Sequence, residues 1–157
     1  MGPEMKTTCK AILLALLLSL MTAGCVSFAI DRPADFSEYE RTSDWYRAIA
    51  ADGVRIRVRL IENRSKGSAN MWRTATVRHL EKSGYQKVSE KNFITVAGEK
   101  ASHSEFTHHY FGREFIYTVT LLVKKDHIGV VETAGEKKYY EAHREALLKA
   151  AQSFRFK

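Results

Sequence analysis

An α+β fold built on an antiparallel sheet is what this sequence predicts, and three observations predict it. Val54, Ile56, Val58 and Leu60 alternate with Arg55, Arg57 and Arg59, the period-two pattern of a strand with one buried face. Two longer stretches, 69–82 and 136–152, place apolar residues at helical spacing. The other β-rich runs follow one another through short turns, which join neighbours as antiparallel pairs. The expected order is ββαββββα: about six strands and two helices.

The elements follow in chain order. Trp45–Ala50 is a strand, and Asp52-Gly53 is the turn of a hairpin leading into 54–60. Asn63 to Gly67 is a loop. Ser68 can cap a helix over 69–82 whose apolar face carries Trp72, Ala75, Thr76, Val77 and Leu80, with Gly84 just past its end. Tyr85–Glu90 and Phe93–Ala97 read as one bent strand. It turns at Gly98 into 101–111, which alternates weakly. Phe115–Val123 is rich in β-branched and aromatic residues and is expected at the sheet centre. Lys124-Lys125-Asp126 turns into a strand over 127–133. The second helix presents Tyr139, Ala142, His143, Ala146, Leu147 and Ala150 on one side, and Ser153-Phe154-Arg155-Phe156 closes the chain.

The first 24 residues read differently. Lys6 and Lys10 precede an apolar run from Ala11 to Met21, too short at roughly eleven residues to span a bilayer, which takes about twenty. Met5 is an alternative initiator. The run ends in Thr22-Ala23-Gly24-Cys25, which resembles the lipobox of bacterial lipoproteins, with Thr22 where those proteins most often carry Leu. That resemblance implies cleavage before Cys25, lipidation of its thiol, and a cell-envelope address, membrane-anchored. Val26 in the following position leans toward the outer membrane if the cell is Gram-negative. An ordinary secretory leader cut near Ala23-Gly24 would instead leave Cys25 as a free thiol. Cys9 is the only other cysteine, so the exported part would have neither a disulfide nor a Cys-based metal site. The division expected is a signal peptide over 1–24, a tether over 25–43 and one domain over 44–157.

The chain has 157 residues and a formal net charge of +7. An exported basic domain favours anionic surfaces over nucleic acid, which the compartment withholds. The same charge also serves solubility. Among chemistry-bearing residues, His103 and His109 share one strand face and His108 the other. Six residues of strand separate the first two by about 20 Å, so they cannot share one ion, and Glu105 on their face would need further ligands. No Gly-x-Ser-x-Gly elbow or phosphate-binding loop is present, and Glu132 with Glu136 makes no recognisable acid pair. Neither an enzyme nor a cofactor is expected. The row Arg55, Arg57, Arg59 has two readings: it pairs with acids of a neighbouring strand, or it forms an anion-binding face, since guanidinium suits phosphate and carboxylate.

The element order, the strand pair 115–123 and 127–133, the helix bearing Tyr139 and Tyr140, and the Ser153-Phe154-Arg155-Phe156 ending together resemble the PsbP/Mog1-like family. That resemblance implies an accessory or binding protein in which fold alone names no partner. The expected role is a non-catalytic envelope protein acting through protein–protein contact. The alternative is a binder of an anionic lipid, glycan or small ligand at the arginine face.

Overall fold

The computed structural model describes residues 26–157. The leader and Cys25 lie outside the described residues. Seven strands form the main sheet: β2 (Phe36–Arg41), β3 (Trp45–Ala50), β4 (Arg55–Glu62), β5 (Gln86–Ile94), β6 (Lys100–Tyr110), β7 (Arg113–Val123) and β8 (His127–Glu136). Their spatial order is β2-β3-β4-β8-β7-β6-β5, and every pairing is antiparallel. Two helices, α1 (Ala69–Lys82) and α2 (Lys137–Ser153), cover opposite faces. A separate ribbon pairs β1 (Phe28–Ala29) with β9 (Arg155–Phe156).

The connectivity explains the order. β2, β3 and β4 form a meander. α1 then carries the chain to the far edge, and β5 to β8 return strand by strand until β8 pairs with β4. The sheet middle is therefore β8, with β7 beside it rather than at the centre.

The α+β class holds, with seven strands and a ribbon instead of about six. Two of the three extra strands, β1 and β2, fall in residues 25–43, and β9 lies at the closing Ser153–Phe156 stretch. β2 is an edge strand of sequence Phe-Ser-Glu-Tyr-Glu-Arg, mostly exposed. With one neighbour and little burial it needs no alternating apolar residues, so it leaves no periodic signal. β1 is two residues long and is held by its pairing with β9 and by aromatic packing. Phe28 stacks on Phe154 with ring centroids 5.7 Å apart, and Phe156 meets Phe154 edge-on at 5.0 Å. Ser27 and Lys157 exchange backbone hydrogen bonds of 3.2 and 2.8 Å, which ties the two ends of the described chain together.

α1 starts as its sequence predicts, with Ser68 Oγ accepting from the Met71 amide, and Gly84 follows it at φ +88°. α2 is rotated from expectation. Tyr140, Leu147, Ala150 and Ala151 are buried, while Tyr139 faces outward. The cause is a hydrogen-bond chain: the Tyr140 hydroxyl meets Thr133 Oγ1 at 2.6 Å, and Thr133 meets Thr118 at 2.6 Å. A buried hydroxyl requires partners, and β7 and β8 supply them.

Two cores result. Under α2, the aliphatic row of β4 (Val54 at its start, Ile56, Val58, Leu60) packs with Tyr46, Ile116, Leu122, Val131 and Leu147. Under α1, Val77 and Leu80 pack on Phe106, Val119, Leu121, Ile128 and Val130. α1 rests on β5, β6 and β7. The β4 side of its face stays uncovered, so the β4 arginines and Ile61 reach solvent there.

Candidate functional site

The uncovered half-face and the flank of α1 enclose a groove. Two cavities, of about 680 and 450 Å³, meet at Arg57, Tyr117 and Glu132. The larger is walled by Tyr39, Tyr85, Tyr110, Phe115 and Tyr117, with Arg47, Arg55, Arg57 and His108 among its polar groups. The smaller runs between α1 and the sheet over Val119, Leu121, Ile128 and Val130, with Trp72 and Ala75 on the helix side.

Strand register builds the polar centre. Arg57 lies opposite Glu132 across β4 and β8, and Val119 of β7 lies opposite Glu132 on its other side. Glu132 accepts from Arg57 Nε at 2.7 Å and Nη2 at 2.8 Å, from Arg59 Nε at 3.2 Å and Nη2 at 3.3 Å, and from the Tyr117 hydroxyl at 2.5 Å. Its side chain is 7% exposed. Burial resists its ionisation, but the hydrogen bonds from Arg57 and Tyr117 and the charge of Arg59 outweigh burial, so its carboxyl titrates below the usual range. Burial also pushes the Tyr117 hydroxyl far up, helped by the adjacent carboxylate, so it remains a donor.

Both sequence readings of the arginine row apply, to different residues. Arg57 and Arg59 share one carboxylate on the neighbouring strand, whereas Arg55 makes no ion pair among the described residues. Three guanidinium groups against one carboxylate leave a surplus of two positive charges on the row. Arg47 is paired with Glu40 at 2.9 Å and lies over the Trp45 ring.

The apolar end is held by Asn63, a residue without prominence in the sequence. It is buried, and its amide donates to the carbonyls of Gly67 and Lys124, both at 3.0 Å. Its Oδ1 accepts from the Gly67 amide at 2.9 Å and from Trp72 Nε1 at 3.0 Å. Those bonds orient the indole in the groove wall.

The histidines separate. His108 stacks on Tyr85 at 4.6 Å and bonds the Gly84 carbonyl at 3.1 Å, at the groove edge. His103 is buried on the opposite face against Thr120 Oγ1 at 2.8 Å. Burial, with Lys91 and Arg144 against Glu105, pushes it down to about 4. Glu105 is bound to Arg144, and the cavity beside His103 measures only about 80 Å³. Glu136 turns to Arg113 and Lys138, away from Glu132. Among the described residues no three His, Cys, Asp or Glu side chains converge on a metal position. Tyr117, Tyr85 and Trp72 line the groove, and none of them stands out as a site residue in the sequence. The sequence shows β7 and β8 as neighbours across the turn at Lys124–Asp126, but only their register, Tyr117 against Ala134, puts Tyr117 on the same face as Glu132.

The fold and groove define an antiparallel α+β domain with one half-open sheet face. No protein-family model matches this chain, and no curated protein matches its sequence. Among solved structures, the crystal structure of LpqN from Mycobacterium tuberculosis, involved in cell envelope biogenesis, is similar with a TM-score of 0.69 at 10% identity, over 87% of each chain. The solution structure of the cyanobacterial PsbP, CyanoP, from Synechocystis sp. PCC 6803 is similar with a TM-score of 0.52 at 11% identity, over 87% of this chain and 98% of that one. The chain has a PsbP-like fold.

Proposed function

We propose that this chain is a lipid-anchored, non-catalytic accessory protein of the bacterial cell envelope that works by binding a ligand in the groove beside α1. The groove's charge state carries this reading. Glu132, the one carboxylate lining it among the described residues, is saturated by three donors' side chains, whereas Arg55 is free of acids. Such a site has charge with which to hold an anion, and its one carboxylate is already engaged.

The anchor rests on the motif ending at Cys25. Ser27 is already clamped to Lys157, and two residues of chain reach about 7 Å at most. A lipid on Cys25 would therefore seat the β1–β9 ribbon against the bilayer, and the segment expected to space the domain away would be part of the domain. Likeness in fold to an envelope-biogenesis protein is compatible with this address. A second reading, contact with another envelope protein, is favoured by the hairpin tip at Tyr110 and Phe111, where Phe111 is 86% exposed.

Mass spectrometry of the native protein tests the anchor. The expected product begins at Cys25 and carries a thioether-linked diacylglycerol, and Cys25→Ser moves the protein out of the membrane fraction. An intact leader or an unmodified Cys25 would overturn the anchored assignment.

A further inference from the structure

The geometry points to a single-chain amphiphile with an anionic head as the ligand of this groove: the head on Arg55, the chain in the apolar trough between α1 and β8. This rests on the binding role proposed above and names its ligand class. Three features converge. The larger cavity holds the unpaired Arg55 and the charge surplus of the arginine row. The smaller opens from it across Arg57, Tyr117 and Glu132 and is floored by Val119, Ile128 and Val130. A free inorganic anion would use the first and leave the second unfilled.

Main-chain chemistry decides against a peptide. The groove floor is made of β3, β4, β8 and β7, all interior strands whose amides and carbonyls are spent on the sheet. An extended peptide laid there would bury its own amide groups without partners. An alkyl chain has none to satisfy, and covering the trough removes apolar surface from water. Tyr85 and Tyr117, whose rings are 5.4 Å apart, line the passage where head and chain meet.

Residues 26–157 contain both cores and the whole seven-stranded sheet, so this stretch serves for titration. Dodecyl phosphate, dodecanoate, dodecyltrimethylammonium and inorganic phosphate are each titrated below micelle-forming concentration, by calorimetry and tryptophan fluorescence. The expected result is one-to-one binding of an anionic dodecyl compound, at least tenfold tighter than dodecyltrimethylammonium, with no binding of inorganic phosphate in the same range. The tighter of the two anionic heads names the source as a phosphate or a carboxylate lipid. Arg55→Gln is expected to weaken the anionic compound about tenfold and leave the cationic one unchanged. Ala75→Trp, on the exposed flank of α1, is expected to weaken both by filling the trough, at an unchanged melting temperature. Equal binding of all heads, no effect of Arg55→Gln, or no binding of either anionic dodecyl compound would overturn the assignment. Those failures leave the Cys25 anchor untouched, and an unlipidated Cys25 leaves this titration untouched.

Discussion

Replacing Glu132 by Gln perturbs the groove at its centre. The carboxylate accepts five contacts from Arg57, Arg59 and Tyr117. A buried charged pair broken on one side costs about 3–5 kcal/mol when the survivor is stranded. Here the survivors are not stranded: the arginine side chains are 41% and 32% exposed, and water screens them. Gln also keeps one acceptor oxygen. The expected loss at pH 7 is therefore about 2 kcal/mol, or roughly 1 M in urea midpoint for a domain of this size. The pH dependence follows from the lowered carboxyl. Its contribution is complete above the ordinary value of 4.5 and disappears as pH falls through the folded-state value. Parent and Glu132→Gln should therefore differ at pH 7 and converge in strong acid. Urea unfolding followed by circular dichroism at both pH values reads this. Equal stability at pH 7, or a gap that persists in acid, would refute the argument and show that desolvating Glu132 costs as much as its partners return.

Three further outcomes are expected. His103 stays neutral in the folded protein down to about pH 4, while an unfolded histidine gains its proton near 6.5; folding stability should fall by roughly 3 kcal/mol as pH drops across that window, and His103→Asn should remove this slope in a parent-minus-variant urea comparison. A Cβ on Gly129 would lie 2.4 Å from the buried ring of Phe154; Gly129→Ala should cost about 2–3 kcal/mol, measured by thermal melting, and an unchanged melting temperature would contradict this packing. Asn63→Ala takes the Asn63 partner from the Gly67 amide, the Trp72 indole N–H and the carbonyls of Gly67 and Lys124; about 3 kcal/mol should be lost, with a red-shifted Trp72 emission as the indole frees.

Strands were legible in sequence either through alternation, where the two faces differ in burial, or through continuous β-branched and aromatic runs, as in β7 and β8, buried on both faces. β4 shows the first best: Ile56 and Val58 are buried and Arg55 is exposed, so alternation survives in the residues themselves. β2 has little burial on either face and left no pattern. α2 was found, but its rotation was misjudged, because Tyr139 and Tyr140 are equally apolar in sequence. Hydrogen bonding to Thr133, seven residues upstream on β8, chose Tyr140. Residues 27–29 gave no signal because their order comes from partners at the other end of the described chain, Phe154 to Lys157.

From its residues alone the chain announced an α+β class, two helices, the caps of the first, and a row of three arginines along one strand. Those properties are local, written within a few consecutive positions by side-chain period and turn chemistry. Tertiary pairing decided that Glu132, 75 residues from Arg57, pairs with two of those arginines and not with Arg55. It also decided that α1 covers β5 to β7 and leaves the arginine side open. Period two says which residues share a face; only the register of strands distant in sequence says what that face meets.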